Sequence, residues 1–325
     1  MRVLIAGCGD LGMRTAALLC QAGHEVIGLR RRPALQSDSD TAKHSIEHAT
    51  DHAIDHSANH FAKTTPKVIG QIDSPPGFTW FTADLRDPSS MTSLPSDITH
   101  VIYAATPDQR QESAYRSIFL DGVQHLVKAL DHANCQRSAG SASSLQRFMF
   151  VSSSAVYGEH ADQWVDELTP TNPQGFNGRI LVEAEQWLAS QPFQSVVLRL
   201  SGIYGPGREQ LLERIRHGQA SVPRRDQHWS NRIHVEDAAR ALFHLMTLPN
   251  PDMTYLITDS HPYLMDELYY RLADLLGVTR PVDGPAPMLI GSKKLSNKRL
   301  LATGFKLNWP DAMDGYAALL DQFSG

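Results

Sequence analysis

Cysteine is scarce in this chain. Its three residues of the type, Cys8, Cys20 and Cys135, are odd in number and show no CxxC spacing. That pattern fits a reducing, cytoplasmic compartment better than a disulfide framework. Long apolar runs are missing too: no stretch of roughly 18 uncharged apolar residues occurs, so no membrane-spanning helix is expected. The apolar N-terminus is broken by Gly7, Gly9, Asp10, Gly12 and Arg14, and reads as a strand and turn, not an export signal. An excess of one charge is lacking as well. Lys and Arg number 30 and Asp and Glu 35, a net charge of -5, with both signs mixed along the chain. This leaves no electrostatic footprint for nucleic acid or an anionic membrane. The expected partner is a small molecule.

What is present is alternation. β-type runs at Arg2 to Ala6, Glu25 to Leu29, Thr79 to Phe81, His100 to Ala104, Arg147 to Val151 and Ser195 to Leu200 are separated by mostly helical patterns. This predicts an α/β fold, a doubly wound parallel sheet of the Rossmann kind with crossover helices on both faces. The 325 residues suffice for a nucleotide-binding domain over 1–200 and a smaller C-terminal substrate lobe over 201–325. Prolines punctuate the lobe, among them Pro206, Pro223, Pro249 and Pro262. Within it, 231–258 reads as a helix and strand returning to the main sheet.

The segment from about Ser37 to Ser74 is long for a crossover in such a fold. It carries histidines at a four-residue spacing, His44, His48, His52, His56 and His60. Neighbours at i and i+4 share a helix face, so a surface metal site is chemically open. A compositional, tandemly duplicated insertion is the plainer reading, and spacing of four drifts around a 3.6-residue helix, so five histidines do not converge on one ion. No metal is assigned.

Gly7-Cys8-Gly9-Asp10-Leu11-Gly12 lies between the first strand and a helix from Leu11 to Ala22. In that context GxGxxG marks a dinucleotide site: Gly7 for the tight turn, Gly9 for close approach of the pyrophosphate, Gly12 for helix packing on strand. The pyrophosphate sits at a positive helix end, beside Asp10 and Leu11. At the end of the second strand an acidic residue would select NAD. The chain instead offers Arg30, Arg31 and Arg32, which suit a 2'-phosphate, so NADP is expected over NAD. Asp84 and Leu85 follow the third strand, where folds of this kind present a carboxylate to adenine. Ala104 and Ala105 follow the fourth and supply small walls.

Four strings carry a family likeness: SSSAVYG at 152–158, LRLSGIYGPG at 198–207, NRIHVEDAA at 231–239 and NKRLLATGFKLNWPD at 297–311. Together they resemble the extended short-chain dehydrogenase/reductase family, the NAD-dependent epimerase/dehydratase group, over essentially the whole chain apart from the insertion. The resemblance implies that Ser153 hydrogen-bonds a substrate oxygen. It also implies a Tyr and a Lys four residues apart on the next helix, the Tyr to transfer a proton and the Lys to lower its pKa. Here those positions are Gly175 and Arg179. The chain is most similar to a branch that keeps the serine and lacks the pair. Arg179 can bind ribose hydroxyls or an anion but does not serve as an acid at neutral pH. Tyr157, Tyr204 and His234 are the candidate substitutes, the last two as substrate-binding groups; His234 also reads as a packing residue before a helix, with Glu236 and Asp237 as helix-start charges.

On the helix from Arg179 to Ala189, Ile180, Ala184, Trp187 and Leu188 form an apolar stripe, with Glu183 and Glu185 off it and read as solvated. The stripe is core packing or, as the resemblance implies, half of a homodimer contact made with the helix around Ser117 to Leu130. Two functions remain open: an NAD(P)-dependent oxidoreductase or epimerase/dehydratase acting on a small hydroxy, carbonyl or nucleotide-sugar compound, and a catalytically silent NADP-binding sensor or scaffold. Both use the cofactor site; they part at position 175.

Overall fold

The computed structural model describes residues 1–31, 75–137 and 145–324; the histidine insertion lies outside the described residues. Seven strands pair in parallel into one sheet: β1 (Arg2–Ala6), β2 (Glu25–Arg30), β3 (Phe78–Thr82), β4 (His100–Tyr103), β5 (Arg147–Ser153), β6 (Gln194–Leu200) and β7 (Thr254–Ile257). Their order is β7-β6-β5-β4-β1-β2-β3. Both faces of the sheet are covered, which is why the inner strands read as near-continuous apolar runs.

Six longer helices are α1 (Asp10–Gln21), α2 (Gly122–Arg137), α3 (Phe176–Ala189), α4 (Val235–Thr247), α5 (Met265–Leu276) and α6 (Ala312–Ser324). Side chains alternate across the sheet: Leu4 and Ala6 join the core beneath α2 and α3, while Val3 and Ile5 join the core beneath α1 and α4. A third cluster gathers residues from the C-terminal part of the chain, with Leu211, Leu212, Leu268, Leu272 and Leu319 packed around Tyr204, Tyr269 and Tyr316.

The stripe on α3 is used inside the chain. Ile180, Ala184 and Leu188 are buried in the first core, with Trp187 half-buried against it. Phe176 meets Tyr115 edge-on at 5.2 Å, and Arg116 pairs with Glu183 at 2.8 Å. Before α2 the chain widens into a π turn over Ser117–Asp121, a form that recurs at functional sites. Tyr103 Oη, buried at the end of β4, donates to the Ile118 carbonyl of that turn at 2.5 Å.

Candidate functional site

Across the sheet, chain order reverses between β1 and β4, and the crevice outside the carboxyl ends of strands at such a point is where open α/β sheets take a ligand. Gly7 leaves β1 with φ +81° so close to the next loop that a Cβ there would stand 2.2 Å from Ala105 Cα. Only glycine fits. Gly9 N-caps α1 with no side-chain cap, and a Cβ built on it would meet nothing within 4 Å. The first-turn amides of α1 have no intrahelical partner, and the space beside Gly9 at the helix start is open. Gly12 packs inward, its hypothetical Cβ 3.2 Å from both Gly7 O and Ile5 Cγ2. The Ala104 amide donates to Ala6 O at 2.8 Å, and Ala105 is buried. This cradle fits a pyrophosphate on both counts, unmet donors and a missing Cβ.

Arg30 ends β2 and lies over Trp80, its guanidinium carbon 3.9 Å from the ring centroid. Its Nε and Nη2 are buried with no hydrogen-bond partner, and burial lowers its pKa. Unmet buried donors are costly, and a phosphate satisfies them. Arg31 is engaged elsewhere, through both terminal nitrogens with Asp108. Asp84 is engaged too: Arg86 donates to it from Nη2 at 2.6 Å and from its amide at 2.9 Å, holding its carboxyl below the usual range. Leu85 is buried, its carbonyl 3.0 Å from His125 Nδ1. Next to them opens a cavity lined by Arg86, Asp108, Gln109, Ala114, Ser117 and Ile118.

Ser153 closes β5, buried, and its hydroxyl accepts from the Ala155 amide at 3.2 Å. Tyr157, in the turn beyond, is fully buried. Its hydroxyl accepts from Arg199 Nη1 at 2.8 Å; Arg199 Nη2 donates to Glu185 at 2.6 Å, and Glu185 accepts from Ser152 Oγ at 2.6 Å. Burial pushes the Tyr157 phenol up to about 12 against the pull of Arg199. Two expectations are corrected. Tyr157 braces the core instead of facing a substrate, and Glu185 is not solvated but a buried ion-pair partner.

Gly175 N-caps α3. A Cβ there would lie 2.4 Å from Asn177 Oδ1 and 3.6 Å from Leu289 Cβ, so a carboxamide fills the space from which a tyrosine would project. Arg179 is exposed and donates to the Gln174 carbonyl at 3.1 Å; it turns back along the helix start at the surface. Tyr204 is buried, stacked on Tyr316 at 4.2 Å and edge-on to His234 at 5.2 Å. His234 Nδ1 accepts from the Glu236 amide at 3.3 Å, capping α4. Burial raises the phenol and lowers the imidazole, and both side chains are packed, His234 in the place before a helix that its alternative reading gave it.

A second cavity lies beyond the carboxyl ends of β5 and β6, lined by Ser154, His228, Trp229, Asn231, Arg232 and Lys293 among others. Lys293 is buried, and its Nζ donates to the carbonyls of Gly158, Ile290 and Gly291 at 3.1, 2.8 and 3.3 Å. Burial lowers its pKa to about 8, yet three carbonyl acceptors favour the ammonium, so near neutrality it is charged. It clips the turn after Tyr157 to the segment at Ile290 and Gly291. Trp229 Nε1 is buried without a partner.

Residues 3–257 match the NAD dependent epimerase/dehydratase family. The chain belongs to it. Protein YeeZ of Escherichia coli (strain K12) is 33% identical over 202 residues, covering 60% of this chain and 66% of that protein. The chain thus spans just under two thirds of the length of the curated relatives it matches. A candidate NAD-dependent epimerase/dehydratase from Methylobacillus flagellatus is 32% identical and superposes over 100% of this chain and 99% of its own with a TM-score of 0.73. A UDP-glucose 4-epimerase from Thermus thermophilus, solved with NAD, shares the fold at 19% identity, with 100% and 99% coverage and a TM-score of 0.71. So does a human epimerase family protein solved with NADPH, at 18% identity, 99% coverage of each chain and a TM-score of 0.69.

Within this epimerase/dehydratase chain, sequence reasoning missed the cavity set: Ser154 and Asn231 lie in the strings SSSAVYG and NRIHVEDAA without being singled out, and His228 and Lys293 join them only in the fold. Among the described residues no cluster of three His, Cys, Asp or Glu is placed to hold a metal ion, and no helix is long and apolar enough to cross a membrane.

His228 and His100 make acid sensitivity measurable. Burial, aided by Lys293 in the first and Arg147 in the second, lowers each imidazole to about 4. Below pH ~6.5 the unfolded chain takes up these protons while the folded chain does not until about pH 4, so stability is full above that window and falls through it. Thermal unfolding should drop between pH 6.5 and 4. A His100→Gln/His228→Gln variant should show a flatter profile; an equal slope would contradict the assignment.

Proposed function

We propose that this chain binds NADP and works on a small hydroxy or carbonyl compound, with a nucleotide sugar as one member of that class. Bound in the cradle, the dinucleotide would supply or take up hydride. Gly7, Gly9 and Gly12 would admit the pyrophosphate to the α1 amides, and Ala104 and Ala105 would wall the middle. The 2'-phosphate would meet Arg30, and preference for NADP over NAD rests on its buried, unpartnered donors. That is the observation that carries the reading. Ser153, at the end of β5, would hydrogen-bond the substrate oxygen, with the body of the substrate in the cavity lined by Ser154, His228, Asn231 and Lys293.

The proton is the difficulty. Position 175 has no side chain, Tyr157 and Tyr204 are buried with raised pKa values, and the Asn177 carboxamide donates a hydrogen bond but does not exchange a proton. These facts favour a second reading, a dinucleotide-responsive protein with little or no turnover. A graft separates the two. A Cβ at position 175 meets the flexible end of Asn177, which can rotate away; thermal unfolding and NADPH binding check that the Gly175→Tyr/Arg179→Lys variant is folded. General acid catalysis contributes roughly 10²–10⁴-fold, so NADPH oxidation over a carbonyl panel should rise by that order for an enzyme limited by its missing acid. A folded, NADPH-binding graft with no gain on any carbonyl would favour the silent reading.

A further inference from the structure

We propose that Arg208 is a dinucleotide-binding residue, and that the Asp10 carboxylate competes with the dinucleotide phosphates for it. The inference rests on the dinucleotide reading above and assigns it a residue 198 positions from the glycine motif. After Tyr204 the chain makes a tight turn through Gly205 and Gly207, whose φ values of +128° and +83° belong to glycine. The turn is closed by the Arg208 amide on Gly205 O at 2.9 Å and by the Gly207 amide on Glu209 Oε1 at 2.7 Å. It delivers Arg208 Nε to Asp10 Oδ2 at 3.0 Å. Arg14 completes the group, with Nε 2.7 Å from Asp10 Oδ1 and Nη2 donating to the Pro206 carbonyl at 3.1 Å.

Two guanidinium groups thus share one carboxylate at the first residue of α1, beside the open space at Gly9. The Arg208 side chain is 14% exposed, shielded enough that its charge is little screened, unlike an ordinary surface pair. Among Arg14, Arg208 and Asp10 one positive charge is in excess, while the nearby Glu209 carboxylate is held by the Gly207 amide. A pyrophosphate entering the cradle brings two negative charges next to Asp10. The carboxylate repels them, while Arg208 and Arg14 gain acceptors better matched to their charge. Arg208 would then turn from Asp10 to the phosphate and tie the C-terminal lobe to the bound dinucleotide.

The sign of the Asp10 effect separates this from a merely structural clamp. NADPH is titrated into the full chain at two salt concentrations, for the wild type and for Arg208→Ala, Arg208→Lys and Asp10→Asn. Charge-assisted hydrogen bonds of this kind imply a roughly ten- to hundredfold weaker Kd for Arg208→Ala, partial recovery in Arg208→Lys, a shallower salt dependence in Arg208→Ala, and several-fold tighter binding for Asp10→Asn. A structural clamp predicts weakening in Asp10→Asn as well. Unchanged affinity in Arg208→Ala, or loss in both variants, overturns the inference while leaving dinucleotide binding intact. Absence of NADPH binding by the wild type overturns the dinucleotide reading itself. Should Arg208→Ala fail to fold, Arg208→Lys and Asp10→Asn decide the question.

Discussion

Glu185→Gln should be among the most destabilising single substitutions in the chain, lowering stability by about 3–5 kcal/mol, the range for removing one partner of a buried ion pair. Glu185 is 7% exposed and Arg199 8%, so the orphaned guanidinium would have no water to fall back on. The glutamine amide keeps one acceptor oxygen and turns the other into a donor, so it cannot hold both Arg199 Nη2, 2.6 Å from one carboxylate oxygen, and Ser152 Oγ, 2.6 Å from the other, and a loosened Arg199 weakens its 2.8 Å bond to Tyr157 Oη. The network pins β5, β6 and α3 beneath the turn that follows Ser153. Urea unfolding measures the loss. A Glu185→Leu/Arg199→Met double variant should recover much of it, because an apolar pair leaves no uncompensated charge. A change under about 1 kcal/mol for Glu185→Gln would show that the pair does not carry the turn.

The second large effect separates site from fold. Gly9→Ala places a methyl where nothing lies within 4 Å and in a backbone conformation, φ -82° and ψ -155°, that alanine adopts. Its thermal stability should stay within about 0.5 kcal/mol of wild type, while dinucleotide affinity falls sharply because the methyl fills the phosphate approach. Gly7→Ala should lose both. At φ +81° its Cβ would press to 2.2 Å from Ala105 Cα and 2.3 Å from Ala105 N. Those are backbone atoms, and the turn after β1 must move to relieve the contact.

The sheet was readable from the chain because its physics is local. Apolar runs such as Arg2–Ala6 and His100–Tyr103 are bounded by turn residues, and the GxGxxG string sits where a strand must turn into a helix. The tight turn at Gly7 and the packing of Gly12 on Ile5 were legible for the same reason. Glu185 was not: its place off the apolar stripe of α3 suggested solvent, and only the pairing of β5 with β6 in register, Ser152 opposite Arg199, turns it into a buried acceptor. Tyr157 and Tyr204 carry the right chemistry in the right strings, yet burial depends on what packs from elsewhere, Arg199 for one and Tyr316 for the other. Asn177 over the vacancy at Gly175 had no signal beyond its position. Arg208 likewise meets a partner 198 residues away, and one of the three carbonyls that hold Lys293 lies 135 residues away.

Titration of NADPH and NADH into the wild-type chain and its Gly9→Ala variant tests the central claim most directly. The account predicts saturable binding to the wild type, tighter for NADPH than for NADH, and loss of both in a Gly9→Ala variant that unfolds at the same temperature. No saturable binding of either dinucleotide, or undiminished binding by Gly9→Ala, would contradict it.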